Sequence, residues 1–337
     1  MITQRILKTL AAKKVVRVFL LLFVFCDFAN GQAAGQMSDT LKKVSDISTT
    51  QIADSTTNNK QQTINRKRLI TVSAIGGAAY IGGMTGLYQL WYKDYPSEEF
   101  HFFDDSGEWQ QMDKCGHVFS AYQIGLWGID ALRWTGIERK KAIWYGAGYA
   151  YLFQTTIEVF DGFSSDWGFS PYDMIANTLG SGILVSQELL WDEQRFRIKF
   201  SYHASPYADV RPDQLGESPV QRLFKDYNGQ TYWLSCNINC WLKKDSKFPP
   251  WLNLAFGYGA NGMTGASENP DYVNGEPVPH YDRYRQFYFA PDIDLTRIKT
   301  KSLVLKRVFN VIGILKVPLP TLEYNSQDKF IFHGLFF

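Results

Sequence analysis

The sequence predicts an α+β protein, in which an N-terminal bundle of about four apolar helices is followed by an antiparallel β-rich domain with about six strands. Four long apolar stretches of helical length occur before residue 192, and the hydropathy period changes to two after it. The 337 residues are 45% hydrophobic and 20% charged, which is enough apolar surface for a real core and excludes a disordered chain. The formal net charge of +2 gives no bulk field for nucleic acid, so we expect no nucleic-acid partner.

The first 31 residues have the layout of a secretory signal peptide. A basic segment precedes an uninterrupted apolar run over residues 18–25, and the small residues Ala29 and Gly31 follow. The apolar run is too short to span a bilayer, which takes about 20 apolar residues. The bulky Phe25 stands before Cys26 where a lipobox has a small residue, which disfavours lipid attachment there. We therefore predict export to the cell envelope with cleavage after Gly31.

The mature chain divides into three predicted segments. Residues 32–66 are rich in Ser, Thr, Gln, Asn and Lys with no apolar period, which predicts a solvated, disordered tether. Residues 67–192 form the predicted helical domain, and residues 193–337 the predicted β-rich domain.

The first predicted helix covers 24 uncharged residues from Leu69 to Tyr92. Small residues at Ala78, Gly82 and Gly86 are spaced by four, a pattern that lets helices approach closely and is common in membranes. Three further helices are predicted over residues 113–134, 140–160 and 171–191.

The β-rich half is predicted from alternation of polar and apolar residues, which has no exception over 195–203 and is weaker in the last three stretches. Alternating stretches lie at 195–203, 232–242, 251–259, 285–295, 319–324 and 329–336. The composition of residues 325–328 predicts a hairpin turn, and the apolar spacing over 303–315 predicts one amphipathic helix.

Two interpretations of this sheet remain open. In a membrane barrel one face would contact lipid, whereas an ordinary half-buried sheet would cover the helical domain. Six strands are fewer than the minimum of about eight for a spanning barrel, which favours the ordinary sheet.

The mature cysteines are predicted to be unpaired. On one strand, Cys236 and Cys240 share a face but lie about 13 Å apart at ~3.3 Å per residue. A disulfide needs Cα atoms closer than about 7 Å.

Polar residues of the helical half fall into three groups that are candidates for one cluster. The groups are Asp113, Lys114 and His117, then Glu158 and Asp161, and then Ser170, Asp173, Asn177 and Gly180. Some have simpler structural explanations, because Ser170 before Pro171 is a good helix N-cap and Asp113 can cap its own helix. Glu158 at the end of an apolar helix needs a partner, for which Lys114 or His117 is the candidate.

The order and spacing of these groups resemble the YfiM-like family of predicted periplasmic lipoproteins, a domain of unknown function, over residues 70–192. They are more distantly similar to VanZ-like membrane proteins, which share an Asp-Lys-x-x-His start, a later Glu and an Asp-x-x-x-Asn-x-x-Gly end. The chain differs from the first pattern by lacking a clear lipobox and by about 145 further C-terminal residues, and from the second by its signal peptide. The resemblance implies an envelope protein in which His117, Glu158, Asp161, Asp173 and Asn177 converge between helices.

Two functions are consistent with such a cluster. In the first, the cluster has a structural or binding role in a membrane-associated envelope protein, pinning the helices in one register. In the alternative, the protein is an envelope hydrolase or transferase acting on a lipid-linked or cell-wall substrate. Its catalytic candidates are His117, Glu158, Asp161 and Asp173, and its metal candidates are His117, Glu158 and Asp161.

No recognised motif requires a cofactor, and the expected partners are membrane lipid or other envelope components. The sequence leaves open which membrane the protein associates with. It is either an inner-membrane protein with four spanning helices or an outer-membrane protein anchored by its sheet.

Overall fold

The computed structural model describes residues 63–93, 95–243, 245–273 and 275–336. These residues belong to one compact unit. The predicted signal peptide and residues 32–62 of the predicted tether lie outside the described residues. The α+β class, the four long helices and the six-stranded antiparallel sheet are confirmed.

The four long helices are α1 (Arg66–Leu87), α2 (Met112–Trp134), α3 (Arg139–Asp161) and α4 (Pro171–Trp191). Helix α1 continues as a π-helical turn over Tyr88–Tyr92. It begins at Arg66 because the Asn65 side chain accepts a hydrogen bond from the Arg68 backbone N–H at 3.1 Å. The predicted helices therefore match the observed ones to within three residues at their starts.

Helices α2, α3 and α4 pack closely around a core formed with the sheet. A Cβ on Gly146 of α3 would lie 2.6 Å from the Ile129 backbone nitrogen of α2, so only glycine permits this approach. The fully buried side chains between these helices are those of Tyr122, Ile129, Ile143 and Leu184.

Helix α1 packs against α3, but the contact does not use its predicted stripe of small residues. Nothing lies within 4 Å of a Cβ placed on Gly82 or Gly86, whereas Gly83 faces the Phe153 ring. The expected close approach at Gly82 and Gly86 is thus wrong for the described chain, because the contact runs along the neighbouring face of the helix.

The sheet follows the helices and has the strand order β1-β2-β3-β6-β7-β8, with every neighbouring pair antiparallel. Its strands are β1 (Phe196–Tyr202), β2 (Gln230–Asn237), β3 (Leu252–Asn261), β6 (Tyr284–Ile293), β7 (Leu319–Asn325) and β8 (Lys329–Phe336). A small hairpin of β4 (Tyr272–Val273) and β5 (Glu276–Pro277) lies outside it. The edge strand β1 is covered, because the Phe200 N–H donates to the Ile314 carbonyl at 2.9 Å and the Lys316 N–H donates to the Phe200 carbonyl at 2.9 Å.

Four shorter helices complete the described chain. They are α5 (Tyr207–Val210), α6 (Pro212–Leu215), α7 (Pro219–Lys225) and α8 (Leu303–Ile312). The predicted amphipathic helix over 303–315 is therefore confirmed as α8, and it ends at Gly313.

The prediction that the mature cysteines are unpaired is confirmed, but the placement of Cys236 and Cys240 on one strand is wrong. Cys115, Cys236 and Cys240 are all free. Cys236 and Cys240 do not share a strand, however, because β2 ends at Asn237 and Cys240 lies in the following 3-10 turn. The Asn237 side chain stops the strand by accepting a hydrogen bond from the Cys240 backbone N–H at 3.2 Å.

Within the part of the chain that the structure describes, one helix is long and apolar enough to cross a membrane, over Arg66–Tyr92. Only 6% of its most apolar window is buried inside the protein. Helices α2, α3 and α4 do not meet the same criterion, so four spanning helices are not supported. Their polar ends, which build the site described next, lower their hydropathy.

Candidate functional site

Three helix ends bring the predicted polar groups together. The first two turns of α2 carry Asp113, Lys114 and His117, the last turn of α3 carries Glu158, and the first two turns of α4 carry Asp173 and Asn177. Because α2 and α4 begin where α3 ends, these side chains meet at one end of the bundle. We call this set the polar cluster.

A left-handed turn (residues 109–111) delivers the start of α2 to the cluster. Trp109, Gln110 and Gln111 have φ angles of 48°, 53° and 63°, a region that non-glycine residues rarely adopt. The sheet holds this turn in place: the Tyr258 hydroxyl donates to the Gln110 carbonyl at 2.5 Å, and the Arg285 guanidinium donates to Gln111 Oε1 at 2.8 Å.

Lys114 provides the permanent positive charge of the cluster. Its Nζ lies 2.6 Å from Asp105 Oδ2, 3.0 Å from Asp113 Oδ2 and 2.7 Å from Asp173 Oδ1. Burial acts to lower the pKa of Lys114, but the surrounding carboxylates outweigh it and raise the pKa.

His117 lies between an amide pair and three carboxylates. Its Nδ1 is 3.1 Å from Asn177 Oδ1, which also accepts a hydrogen bond from Gln154 Nε2 at 3.1 Å. Since a carbonyl oxygen only accepts hydrogen bonds, this contact assigns the proton to Nδ1 and leaves Nε2 facing the carboxylates. From Nε2 the distances are 3.8 Å to Asp113 Oδ1, 3.7 Å to Glu158 Oε1 and 3.8 Å to Asp173 Oδ2.

The Glu158 side chain is fully buried, and only one of its two carboxyl oxygens has a hydrogen-bond partner. Its Oε2 accepts a hydrogen bond from the Ser170 backbone N–H at 3.3 Å, whereas its buried Oε1 has no hydrogen-bond partner. Of the two partners predicted for it, His117 is the nearer, since Lys114 pairs with aspartates instead. Burial, followed by the charges of Asp161 and Asp113, raises the pKa of Glu158 to about 9.

Asp161 lies at the edge of the cluster, one turn beyond Glu158. Its Oδ1 accepts a hydrogen bond from the Tyr92 hydroxyl at 2.6 Å. Burial raises the pKa of Asp161 to about 7. The structure thus ties Asp161 to the end of α1 rather than to His117.

The pKa values of Asp113 and Asp173 are shifted in opposite directions. Burial and the charges of Asp113 and Glu158 raise the pKa of Asp173. For Asp113 burial is outweighed by the neighbouring His117, by Lys114 and by the Tyr227 hydroxyl, which donates to Asp113 Oδ1 at 2.7 Å, and the pKa is lowered. One aspartate of the pair therefore carries the charge while the other is driven towards its neutral form.

The predicted capping role of Ser170 is confirmed, and Ser170 also belongs to the cluster. Its Oγ accepts a hydrogen bond from the Asp173 backbone N–H at 3.0 Å and donates to Asp105 Oδ1 at 2.6 Å. Gly180 lies further along α4, where a Cβ would be 2.3 Å from the Val118 carbonyl oxygen. Gly180 thus sets the distance between α2 and α4 rather than contacting the cluster.

Three participants were not among the predicted site residues. Asp105 lies in an irregular segment and Tyr227 in a 3-10 turn, and they reach Lys114 and Asp113 only through the tertiary fold. Gln154 precedes Glu158 by four residues and so lies on the same face of α3, a spacing that identifies it from the sequence as a neighbour of the cluster.

One set of donor atoms in the cluster is suited to a metal ion. Oxygen atoms of Asp113 and Asp173 and a nitrogen of His117 all lie within 4.8 Å of one another. Of the predicted metal candidates, this set contains His117, while Glu158 approaches it through Oε1 and Asp161 does not join it. The polar cluster contains the carboxyl groups of Asp113, Glu158 and Asp173, and those of Asp105 and Asp161 lie at its edge. Lys114 is the cation that pairs with three of these five.

Residues 99–187 match the model of a family described as predicted periplasmic lipoprotein (DUF2279). The matched segment includes Asp105 and every predicted residue of the cluster, but neither Tyr227 nor the sheet. No curated protein and no solved structure matches the chain. The family description agrees with an exported, envelope-associated protein and does not choose between the two membranes. The YfiM-like and VanZ-like resemblances stay predictions.

Proposed function

We propose that the chain is a membrane-associated envelope protein whose polar cluster binds a divalent cation between α2, α3 and α4. One observation carries the proposal: His117 Nε2 faces three carboxylate oxygens at 3.7–3.8 Å. These distances are too long for hydrogen bonds, so the atoms surround a gap rather than closing it.

The gap has the dimensions of a small coordination sphere. Ligands at about 2.0–2.2 Å in tetrahedral geometry are separated by roughly 3.3–3.6 Å. The three distances from His117 Nε2 exceed this range by only a few tenths of an ångström, and the donor atoms of Asp113, His117 and Asp173 all lie within 4.8 Å of one another. A neutral imidazole nitrogen with carboxylate oxygens suits Zn²⁺ or Mn²⁺ better than Mg²⁺, which prefers oxygen ligands and retained water. The second ring nitrogen is already fixed by Asn177, as is usual for a metal-bound histidine.

Charge and hydrogen bonding support the same assignment. Five carboxyl groups in and around the cluster face the one permanent cation, Lys114, and burial raises the pKa values of Glu158 and Asp173. A bound divalent cation would favour the ionised forms of these two carboxyls. It would also give the buried Glu158 Oε1 the partner it lacks. In this role the cation connects three helices, so binding stabilises the fold.

The test is metal binding by the full chain, purified in detergent and treated with chelator. Isothermal titration with Zn²⁺ and Mn²⁺ is expected to show one site per chain, with weaker binding of Mg²⁺. His117→Gln should weaken Zn²⁺ binding by at least about tenfold, because it removes the one nitrogen ligand. The matched control is His333→Gln, which alters a comparable pair (His333 Nε2 lies 2.7 Å from Glu323 Oε2) away from the cluster. Failure of the wild type to bind either ion, or equal binding by His117→Gln, would refute the proposal.

A second candidate function, acid–base catalysis on a lipid-linked or cell-wall substrate, is favoured by two observations. The raised pKa of Asp161, about 7, allows proton transfer in both directions near neutral pH. A cavity of about 130 Å³ lies beside Tyr227, the hydrogen-bond donor to Asp113, and is lined in part by Trp109 and Trp167.

This alternative is tested in the native cell. If it is correct, deletion of the protein changes the mass profile of envelope lipids or cell-wall fragments, and Asp161→Asn fails to restore it. A profile that Asp161→Asn restores fully would exclude Asp161 from catalysis.

A further inference from the structure

The inner face of the six-stranded sheet is buried and carries polar as well as apolar side chains. Lys199 and Asp292 are both fully buried, and Lys199 Nζ lies 2.7 Å from Asp292 Oδ2. The Ser235 hydroxyl donates to the same carboxylate oxygen at 2.6 Å. Beside these groups the inner face buries an apolar cluster of Trp233, Ala255, Tyr288 and Ala290.

The outer face of the sheet carries two apolar cross-strand rows. The strand pairing aligns the first row as Leu234, Phe256, Phe289, Leu322 and Phe332, and the second as Tyr258, Phe287, Tyr324 and Phe330. In the first row, Phe256 is 53% exposed, Leu322 52% and Phe332 67%. The rows continue onto β1 as Ile198 and Phe200, where α2 covers them.

A water-soluble antiparallel sheet with one buried face exposes polar residues on the other, whereas this sheet exposes apolar ones. Large apolar patches on a protein surface mark sites of contact with protein or membrane. The first row is apolar on five neighbouring strands, and an outward apolar band of this kind is the feature that sheets in contact with lipid present.

The height of the apolar band determines how the sheet meets a bilayer. From Leu254 to Tyr258 the band covers four residue steps, about 13 Å at ~3.3 Å per residue. The hydrocarbon core is about 30 Å thick, so the band is too short to span it. Both ends of the band are polar or aromatic, with Trp241 and Lys243 beyond one end and Arg285 beyond the other. A sheet of this kind lies flat against one leaflet.

Helix α8, outside the sheet, is a second exposed apolar surface and adds charge complementarity to anionic lipid. Its apolar residues Val304, Val308 and Val311 are exposed and lie at helical spacing. Lys306 and Arg307 stand between them in the sequence and are also exposed. Short amphipathic helices with basic polar faces lie in the headgroup region, where anionic lipids attract the basic residues.

An apolar groove of about 310 Å³ opens onto this face between α2, α4 and the sheet. Val118 and Ile183 line its helix side, and Ile198 of β1 with Leu234 and Phe256 of the first row line its sheet side. Its continuity with the first row suits it to the end of an acyl chain.

We propose that this outer face docks on one leaflet of a phospholipid bilayer, with its aromatic side chains among the upper acyl chains and α8 among the headgroups. The inference rests on the membrane association in the proposed function. It adds a second lipid contact that is independent of α1.

The experiment uses the full chain reconstituted into vesicles of phosphatidylethanolamine and phosphatidylglycerol. A fraction of the lipid carries a photoreactive diazirine, either near the glycerol or at the acyl chain end, and adducts are mapped by peptide mass spectrometry. The glycerol-proximal probe is expected to label the two cross-strand rows, while the chain-end probe labels the middle of α1. Tyr272 is the internal control: it is 69% exposed but lies in the β4–β5 hairpin beside Asp271 and close to Glu276, and it should carry no adduct.

The outcomes separate the two proposals. Adducts on α1 with none on the rows would overturn docking of the sheet but leave membrane association intact. Absence of adducts on both would overturn both. An unlabelled sheet face together with a stable dimer in detergent would assign the face to a second copy of the chain.

Discussion

The buried Glu158 carboxyl, with one oxygen lacking a hydrogen-bond partner, allows a quantitative prediction of how Glu158→Gln changes the free energy of unfolding. Burial raises the pKa of this carboxyl from 4.5 to about 9 in the folded chain. A carboxyl with a raised pKa contributes its stability fully below pH ~4.5 and loses it as the pH rises towards ~9. At pH 7 the folded protein must therefore retain a proton that the unfolded chain has released. The cost is 2.5 pH units at 1.36 kcal/mol each, about 3 kcal/mol.

Glutamine removes this cost and keeps an oxygen that can accept the Ser170 N–H. We therefore expect chelator-treated Glu158→Gln to be more stable than the wild type at pH 7 by up to ~3 kcal/mol, a gain of roughly 6 °C in melting temperature. The gain should shrink towards pH 5 and grow towards pH 8. The same substitution should remove most of the stabilisation that Zn²⁺ gives, since it removes a negatively charged ligand.

The assay is intrinsic tryptophan fluorescence during thermal unfolding at pH 5, 7 and 8, with and without Zn²⁺. The control is Glu323→Gln, because Glu323 is also buried but is satisfied by His333 at 2.7 Å and Gln286 at 3.0 Å. This control should be destabilised at pH 7. A lower melting temperature for metal-free Glu158→Gln would refute the reasoning, because it would mean that Glu158 is a stabilising, ionised partner.

Two further predictions concern the surroundings of Glu158. Lys114→Met should lower the free energy of unfolding by about 3–5 kcal/mol, because it leaves three carboxyl groups without their shared cation. The measurement is urea unfolding followed by circular dichroism. A variant as stable as the wild type would show that those carboxyl groups are neutral. Gly180→Ala should cost about 1–3 kcal/mol, because its methyl group would meet the Val118 carbonyl at 2.3 Å. Gly182→Ala, in the same helix with nothing within 4 Å, should instead gain about 0.5–1 kcal/mol, and equal effects of the two substitutions would contradict this packing.

The elements of the fold were largely predictable because their signals are local. The apolar stretches place α2, α3 and α4 to within a residue or two, and the alternation after residue 192 gives all six strands of the main sheet. Ser170 before Pro171 marks the start of α4 through capping chemistry alone.

The site was predictable in part. His117 and Asp173 lie at fixed helical positions, so their convergence follows once α2 and α4 pack side by side. Asp105 and Tyr227 escaped prediction because neither belongs to a long helix or a strand, and they lie 12 and 110 residues from His117 in the chain. Asp161 was expected inside the cluster, but the hydroxyl of Tyr92 holds it at the edge. No local pattern reveals that kind of long-range choice.

The left-handed turn (residues 109–111) has a consequence for the order in which the molecule is assembled. Three non-glycine residues in this conformation cost about 3–6 kcal/mol, at roughly 1–2 kcal/mol each. The hydrogen bonds from Tyr258 and Arg285 that offset this cost come from β3 and β6. A nascent chain that has completed α4 but not the sheet lacks these two hydrogen bonds and keeps only the local one from Gln111 Nε2 to the Ser106 carbonyl. The segment 99–187, expressed alone, is therefore expected to hold the turn, and with it Asp113 and Lys114, less firmly than the whole chain does.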